Sequence, residues 1–358
     1  MKTYEAASYI TTFGFSCTLL TNSLLIYLTI SHIRLITGPY KWMIVLFALI
    51  GILFSFLEVI VHPCVHNFNG GFMFFSLNLS LPKWLLSLGV ACYGGFYSSL
   101  LAFVNVQFMF RCWTLIGSKW TKTFQGVKVM LWILFILFPC SFFMAVITLS
   151  IAPDDYSDAY MEEEILKVYE EGIKDIPRHV MVAYENGEVR WKNLSFVGAV
   201  AVFLTVDLVI IGYCALRMRR EMKLRLKTMS KRNRKLETQF FKALLAQSAF
   251  PTFLLALPAG PVLFLPLLDL KVSLQSGFLF SLFSLHPPID SIAMMMIITE
   301  YKGGDEEPSG SLWGLGFRRR SNGLLGFRNR NQKSKFTTNG FEMIELELGL
   351  ATTSTIPF

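Results

Sequence analysis

Charged side chains are scarce in this sequence of 358 residues. Only 16% of the residues are Asp, Glu, Lys or Arg, and 53% are hydrophobic, whereas about 25% charged residues is typical of soluble domains. A soluble fold of this length needs more polar surface, and a disordered chain needs lower hydrophobicity. The composition therefore excludes an ordinary soluble enzyme and a disordered protein, and it indicates an integral membrane protein.

The sequence also lacks the motifs of the common catalytic and metal sites. It has no glycine-rich phosphate loop, no HExxH motif and no cluster of cysteine and histidine with metal-ligand spacing. His62 and His66 stand four residues apart with Cys64 between them, but they have no third ligand, and a solvated helix end is the favoured interpretation. We therefore expect no enzyme activity, no cofactor and no metal site.

Cysteine is sparse as well. The chain has six cysteines, and the polar segment 152–192 contains none of them. A disulfide between this segment and the rest of the chain is therefore excluded. Free thiols that pack as small hydrophobic side chains are the favoured interpretation.

The sequence does contain long apolar runs between its charges. A hydrocarbon core about 30 Å thick is crossed by about 20 helical residues, and seven runs are long enough. They cover about residues 8–30, 42–61, 84–110, 129–151, 193–216, 243–268 and 272–299. The sequence thus predicts an all-α membrane protein with a seven-helix transmembrane bundle in residues 1–302 and a low-complexity tail in residues 303–358.

The basic residues of the loops predict the orientation of this bundle. Lys and Arg number 25 on the side that holds the carboxyl terminus and 8 on the other side. Because basic loops stay in the cytosol, we expect the amino terminus outside and the carboxyl terminus inside. The sequon at Asn78 then lies outside, where glycosylation is possible. The basic stretch 217–242 then faces anionic lipid, an acidic partner or both, and no nucleic-acid partner is expected.

Several polar residues fall inside the predicted spans, where a charge needs a partner or a function. Glu58 lies near the outer end of the second span, and both ligand contact and snorkelling to the surface are open for it. Asp207 and Asp290 lie deeper, at depths that favour an internal polar network. Tyr93 and Tyr97 share one face of the third span, either as ligand contacts or as ordinary packing residues.

Proline interrupts the sixth predicted span. Pro251 and Pro258 each remove a backbone hydrogen bond and crowd the preceding turn, so this segment is expected to bend. A bent helix can swing its cytosolic end between two positions, as a signalling receptor requires. Transporters also use interrupted helices, so a ligand-gated channel or a secondary transporter for a small solute is the alternative to a receptor.

Several blocks of the sequence resemble one family. The stretch LETQFFKALLAQ, which begins at Leu236, together with Pro251-Thr252 and Pro258, resembles the sixth span of the nematode serpentine chemoreceptors of the Str type. Further agreement lies at Pro39-Tyr40-Lys41, Glu58 with His62-Pro63, Glu185-Asn186-Gly187 and Pro288-Ile289-Asp290. The resemblance covers about residues 8–302.

This resemblance implies a G-protein-coupled chemosensory receptor of the plasma membrane, carried by the cilium of a sensory neuron. Its implied partners are a small organic ligand, a heterotrimeric G protein and membrane lipid. Arg111 matches the arginine that Str receptors have at the end of the third span, and it resembles the arginine of the DRY motif. The resemblance implies that Arg111 holds the inactive packing and then meets the G protein, whereas a boundary arginine that snorkels is the alternative. The candidate signalling residues besides Arg111 are Asp207, Asp290, Pro251 and Pro258.

The chain departs from the family pattern in two places. Asp290 is followed by Ser291, where the family usually has Asp-Pro. After Tyr301-Lys302 the chain continues with GGDEEP, where the family continues with a short basic helix. No functional expectation is therefore based on the tail.

Overall fold

The computed structural model describes residues 3–31, 38–78, 80–225, 231–251, 257–268, 270, 272–277 and 281–298. Its helices are α1 (Thr3–Ser31), α2 (Pro39–Val61), α3 (Lys83–Ile116), α4 (Val129–Ser150), α5 (Asp155–Tyr169), α6 (Trp191–Arg225), α7 (Lys231–Pro251), α8 (Leu257–Phe264) and α9 (His286–Ile297). Short 3-10 turns occupy Lys119–Phe124, Gly126–Lys128, Ile173–Asp175, Leu265–Leu268 and Leu282–Leu285. The predicted tail, residues 303–358, lies outside the described residues.

Five of the described helices are long and apolar enough to cross a membrane. They are α1, α2, α3, α4 together with the turn before it, and α6, and they coincide with the first five predicted spans. In the sixth predicted span α7 ends at Pro251 and α8 begins at Leu257, and the seventh contains the short helix α9. The described residues therefore show a multi-pass helical bundle, and the full count of seven spans stays a prediction.

The helices begin and end at residues suited to those positions. Pro39 starts α2, where its missing N–H is not needed, and His62 ends it with a left-handed φ of 45° and donates its N–H to the Glu58 carbonyl. Asp154 and Ser157 form a capping box at the start of α5. Gly117 closes α3 with a φ of 74°, which glycine adopts without strain.

The prediction of an all-α fold is wrong at the end of the bundle where α2 ends and α3 begins. An antiparallel four-stranded sheet lies there, in the order β3-β2-β1-β6. Its strands are β1 (Pro63–Phe68), β2 (Gly71–Ser76), β3 (Arg178–Val182) and β6 (Ser273–Gln275), and β4 (Tyr184–Glu185) and β5 (Glu188–Val189) form a separate hairpin. We call the four-stranded sheet and helix α5, which packs on it, the cap.

The sheet of the cap has two apolar faces. Phe72 and Phe74 of β2 belong to the core of the helical bundle, whereas Met73 and Phe75 belong to a second core beneath α5. This division follows from the alternation of side chains along a strand. The second core also includes Met161 and Ile165 of α5, each with no exposed surface. The sheet therefore lies between the two cores and contributes side chains to both.

The expectation of a solvated helix end around His66 is wrong. Helix α2 already ends at Val61, and His66 lies in β1 with no exposed surface. Its Nδ1 shares a hydrogen bond of 3.2 Å with the Tyr169 hydroxyl, and its Nε2 lies 3.7 Å from a carboxylate oxygen of Glu164. Glu164 in turn accepts a hydrogen bond of 2.6 Å from Ser273 of β6. A buried polar cluster thus ties β1, α5 and β6 together.

Candidate functional site

A cavity of about 340 Å³ lies between the cap and the helices of the bundle. Its volume is near the lower end of the range for small-molecule sites, about 300–1,000 Å³. Phe72 and Phe74 of β2 line it on the cap side. The helical walls include Tyr93, Tyr97, Ser98 and Leu101 of α3, Phe143 and Ile147 of α4, Phe196, Phe203, Leu204 and Thr205 of α6, Gly260, Leu263 and Phe264 of α8, and Phe283.

The cavity offers very few polar atoms to a ligand. The hydroxyl groups of Ser98 and Thr205 donate to the carbonyls of Gly94 and Ala201, one turn earlier in their own helices. The hydroxyl of Tyr93 is buried and has no hydrogen-bond partner among the described residues. The described lining therefore offers a ligand mainly apolar contacts.

Of the residues that the sequence singled out as ligand contacts, Tyr93 and Tyr97 line this cavity and Glu58 does not. The Tyr93 ring stacks on Phe54 of α2 at 4.9 Å, and the Tyr97 ring stacks on Phe283 at 5.8 Å. Glu58 is 1% exposed and lies within electrostatic range of Tyr93. It is therefore buried behind the cavity wall and does not snorkel to the surface.

Beneath the cavity lies a polar pair between α3 and α6. The Nδ2 of Asn105 donates a hydrogen bond to Oδ1 of Asp207, and both side chains are buried. Asp207 also lies within electrostatic range of Tyr97 in the cavity wall. The pair thus joins α3 and α6 through a buried carboxyl group.

At the opposite end of α3 the guanidinium group of Arg111 lies between two aromatic rings. Its central carbon is 3.5 Å from the ring centroid of Tyr40 in α2 and 3.9 Å from that of Phe240 in α7. Arg111 is only 9% exposed, so it does not snorkel, and cation–π attraction is strongest when the pair is desolvated. We call these three side chains the aromatic clamp; it joins α2, α3 and α7.

A second polar group connects α9 to its neighbours. Gln247 of α7 donates a hydrogen bond of 3.2 Å to Oδ2 of Asp290. Ser291 donates to the amide oxygen of Asn22 in α1, and Asn22 donates to the Ala48 carbonyl of α2 at 2.9 Å. The serine that replaces the family's usual proline therefore makes a hydrogen bond between α9 and α1 that a proline at this position does not make.

The predicted bend in the sixth span is described only at its edges. Pro251 is the last residue of α7, and Pro258 lies in the first turn of α8. Residues 252–256, where the bend is predicted, lie outside the described residues. The role of these prolines in signalling therefore stays a prediction.

The sequence has a second sequon at Asn193-Leu194-Ser195, and the two sequons differ in exposure. Asn78 is half-buried, and its side-chain oxygen accepts a hydrogen bond of 2.5 Å from the Ser80 hydroxyl. Asn193 is 2% exposed, and its Nδ2 donates to the Val180 carbonyl at 3.3 Å. The structure thus leaves Asn78 the more accessible of the two.

Sequence spacing does not reveal the aromatic partners of the two sites. Phe72 and Phe74 lie between the second and third predicted spans, where no helical periodicity indicates which side chains face the bundle. Tyr40 and Phe240 lie in blocks that carried the family resemblance, and that was a usable signal. Their contact with Arg111 crosses three helices, so spacing along the chain does not show it.

The fold and the cavity define a multi-pass helical membrane protein that encloses a small apolar site. The profile of one family, described as serpentine type 7TM GPCR chemoreceptor Str, matches residues 7–304. The chain belongs to this Str family of serpentine receptors, and the resemblance inferred from its motifs is confirmed. This is a family of receptors rather than of enzymes.

Individual relatives agree with this assignment. The chain is similar to the G-protein coupled receptor str-33 of Caenorhabditis elegans, with 38% identity over 299 residues, which cover 81% of this chain and 87% of the relative. It is also similar to serpentine receptor class r-10 of Caenorhabditis elegans, with 24% identity over 272 residues that cover 74% of this chain and 80% of the relative. The protein of the same name from Caenorhabditis briggsae is 25% identical over 300 residues, which cover 81% of this chain and 86% of that relative.

Proposed function

We propose that this chain is a chemosensory receptor that detects a small, largely apolar organic molecule and activates a heterotrimeric G protein. In this proposal it lies in the plasma membrane of a sensory cilium, with its amino terminus outside. The observation that carries the proposal is the position of the two sites along α3. Tyr93 and Tyr97 line a ligand-sized cavity near one end of this helix, and Arg111 is held in the aromatic clamp near the other.

The proposed mechanism is a shift between two arrangements of the bundle. A ligand favours the active arrangement only as far as it binds that arrangement more tightly. Tyr97 lies within electrostatic range of Asp207, which is paired with Asn105, so we expect a ligand that moves Tyr97 to change the polar contact between α3 and α6. Release of the aromatic clamp then frees α7 from α3 and exposes Arg111 to the G protein.

The first test establishes topology and surface display. Epitope tags at both ends are stained before and after permeabilisation of cells that express the full chain. The proposal expects an exposed amino terminus and a hidden carboxyl terminus, because the basic loops lie on the carboxyl-terminal side. The reverse pattern would contradict the receptor orientation and favour an ion-flux assay.

The second test links the cavity to signalling. A panel of small volatile molecules is screened for G-protein activation, and responses are compared at equal surface levels. Leu101→Trp should abolish the response because Leu101 lines the cavity, whereas Leu88→Trp should keep it because Leu88 is exposed on the same helix outside the cavity. Arg111→Ala should abolish coupling. A response that survives Leu101→Trp or Arg111→Ala contradicts the corresponding assignment.

A further inference from the structure

The cap closes the cavity on the side where the sheet lies. Phe72 and Phe74, which face the cavity from β2, are 2% and 6% exposed. The strand that carries them pairs with β1 on one side and β3 on the other, and α5 covers the opposite face of the sheet. A molecule in water therefore meets the sheet and α5 before it meets the cavity.

The cap is also fastened to three helices of the bundle. The Nδ2 of Asn67 in β1 donates to the Val262 carbonyl of α8 at 2.6 Å. His179 of β3 donates from Nε2 to the Ser87 carbonyl of α3 at 3.0 Å, and Val180 accepts from Asn193 of α6 at 3.3 Å. A ligand that entered by opening the cap toward water would have to break these three hydrogen bonds together. A ligand that entered the cavity from another side would leave them intact.

Another side of the cavity reaches the exposed surface of the bundle. Among its described lining residues only two are exposed: Thr205 of α6 and Phe264 of α8, the latter by 46%. In the described residues α6 packs mainly against α3 and α4 and very little against α8. These two residues mark the side of the cavity nearest the outer surface of the bundle, and we call that side the lateral opening.

The Thr205 side of the lateral opening faces the lipid. Thr205 lies among Val202, Val206 and Val209 of α6, which are all more than half exposed, and an exposed apolar face of a membrane helix contacts acyl chains. At 1.5 Å per residue Thr205 lies about 21 Å along α6 from the exposed Trp191 at its start. Because tryptophan is typical of the membrane interface, Thr205 lies at the depth of the hydrocarbon core.

We propose that ligands reach the cavity from the lipid bilayer through the lateral opening, and that this receptor therefore selects uncharged molecules that dissolve in membranes. The inference rests on the proposed function, in which the cavity is the ligand site. The cavity chemistry agrees with it, because the described lining residues include no carboxylate, ammonium or guanidinium group. A charged ligand would lose its hydration along this path without gaining a partner.

The test measures access to a thiol placed in the cavity of the full-length protein in lipid nanodiscs. Ser98→Cys supplies the thiol, because Ser98 lines the cavity and cysteine has almost the same shape. The probes are N-phenylmaleimide, which is uncharged and partitions into lipid, and a trimethylammonium-ethyl methanethiosulfonate, which stays in water. Each rate is divided by the rate at Glu188→Cys, an exposed position in β5, and labelling of the six native cysteines is subtracted.

The proposal expects the uncharged probe to react with Ser98→Cys at least roughly tenfold faster than the charged probe on this normalised scale, because a charge is costly to move through hydrocarbon. Equal normalised rates would show that the cavity is reached from water. No reaction with the uncharged probe would also overturn the proposal, because an open lateral path must admit a phenyl ring.

A matched pair of glycine variants locates the path. Among the described residues, a Cβ at Gly260, which lines the cavity on α8, meets no atom within 4 Å, and the same holds at Gly212 of α6, outside the cavity. Gly260→Trp should slow labelling of Ser98→Cys by the uncharged probe by roughly fivefold or more, since packed interiors leave little room to bypass an indole, whereas Gly212→Trp should leave the rate unchanged. An unchanged rate in Gly260→Trp would place the path elsewhere.

Labelling needs no signalling, so a failure here is distinguishable from a failure of the receptor assignment, which the Leu101→Trp response tests.

Discussion

Replacement of Phe240 by leucine is expected to raise the basal activity of the receptor. The guanidinium of Arg111 lies 3.9 Å from the Phe240 ring and 3.5 Å from the Tyr40 ring. A cation–π contact contributes about 0.5–1 kcal/mol at an exposed site and about 2 kcal/mol when desolvated. Arg111 is 9% exposed, so the loss of one ring should destabilise the clamped arrangement by about 1–2 kcal/mol. That change corresponds to about a five- to thirty-fold shift toward the unclamped arrangement.

The assay is guanine-nucleotide exchange on a heterotrimeric G protein by the purified full-length receptor in lipid, without ligand. Phe240→Leu keeps the arginine, so it separates the clamp from direct contact of Arg111 with the G protein, whereas Arg111→Ala removes both. The matched control is Phe241→Leu, since Phe241 packs against the bundle core but is not one of the two rings over Arg111. Basal exchange that stays at the unmodified level in Phe240→Leu, or rises equally in Phe241→Leu, would refute the reasoning.

Three further predictions concern the cap and its surroundings. Burial lowers the pKa of His66 below its usual 6.5, and Glu164 partly offsets this. As the pH falls, His66 is therefore protonated in the unfolded chain at a higher pH than in the folded protein. The stability that neutral His66 contributes is present above about pH 6.5 and is lost as the pH falls below it. The drop in Tm between about pH 7.5 and about pH 5.5 should be smaller in His66→Gln; an equal drop would contradict this. Burial also raises the pKa of Cys64 to about 12, so Cys64 should remain unlabelled by water-soluble thiol reagents at neutral pH until the protein is denatured, as mass spectrometry of labelled peptides would show. Glycan attachment, measured as a gel shift removed by deglycosylation, should depend on Asn78 and not on the buried Asn193; a shift lost only in Asn193→Gln would be the opposite result.

The first five spans were predictable because a membrane imposes a simple rule. Each long apolar run between charges must form a helix to satisfy its backbone hydrogen bonds in lipid, and composition alone locates such runs. The rule does not apply outside the lipid, where strands and turns are equally possible. Residues 273–275, assigned to the start of the seventh span, form β6 instead.

Two hairpins, one in the cap and one beside it in sequence, have a local signal in the sequence. Asn69-Gly70 joins β1 to β2 and Asn186-Gly187 joins β4 to β5, and both asparagines have positive φ. Asn-Gly between apolar segments is the strongest short-range signal of a hairpin. The pairing of β3 and β6 with the β1–β2 hairpin could not be predicted from the sequence, because those two strands lie more than 100 residues further along the chain.

The candidate site was predictable in part. Tyr93 and Tyr97 share one face of a helix, and that periodicity placed them together. Whether Glu58 meets the ligand depends on which side of Tyr93 it lies, and sequence distance does not determine this. The partners of Arg111 are similarly set by the packing of three helices, so the arginine was found without its clamp.

The alternating faces of β2 have a consequence for how such a receptor diversifies. Phe72 and Phe74 shape the cavity, while Met73 and Phe75, at the positions between them, hold the cap together. A duplicated gene can therefore acquire a new chemical preference through changes at the first pair while the second pair keeps the cap folded. Selection for a new ligand and selection for a stable fold would act on different residues of the same short strand.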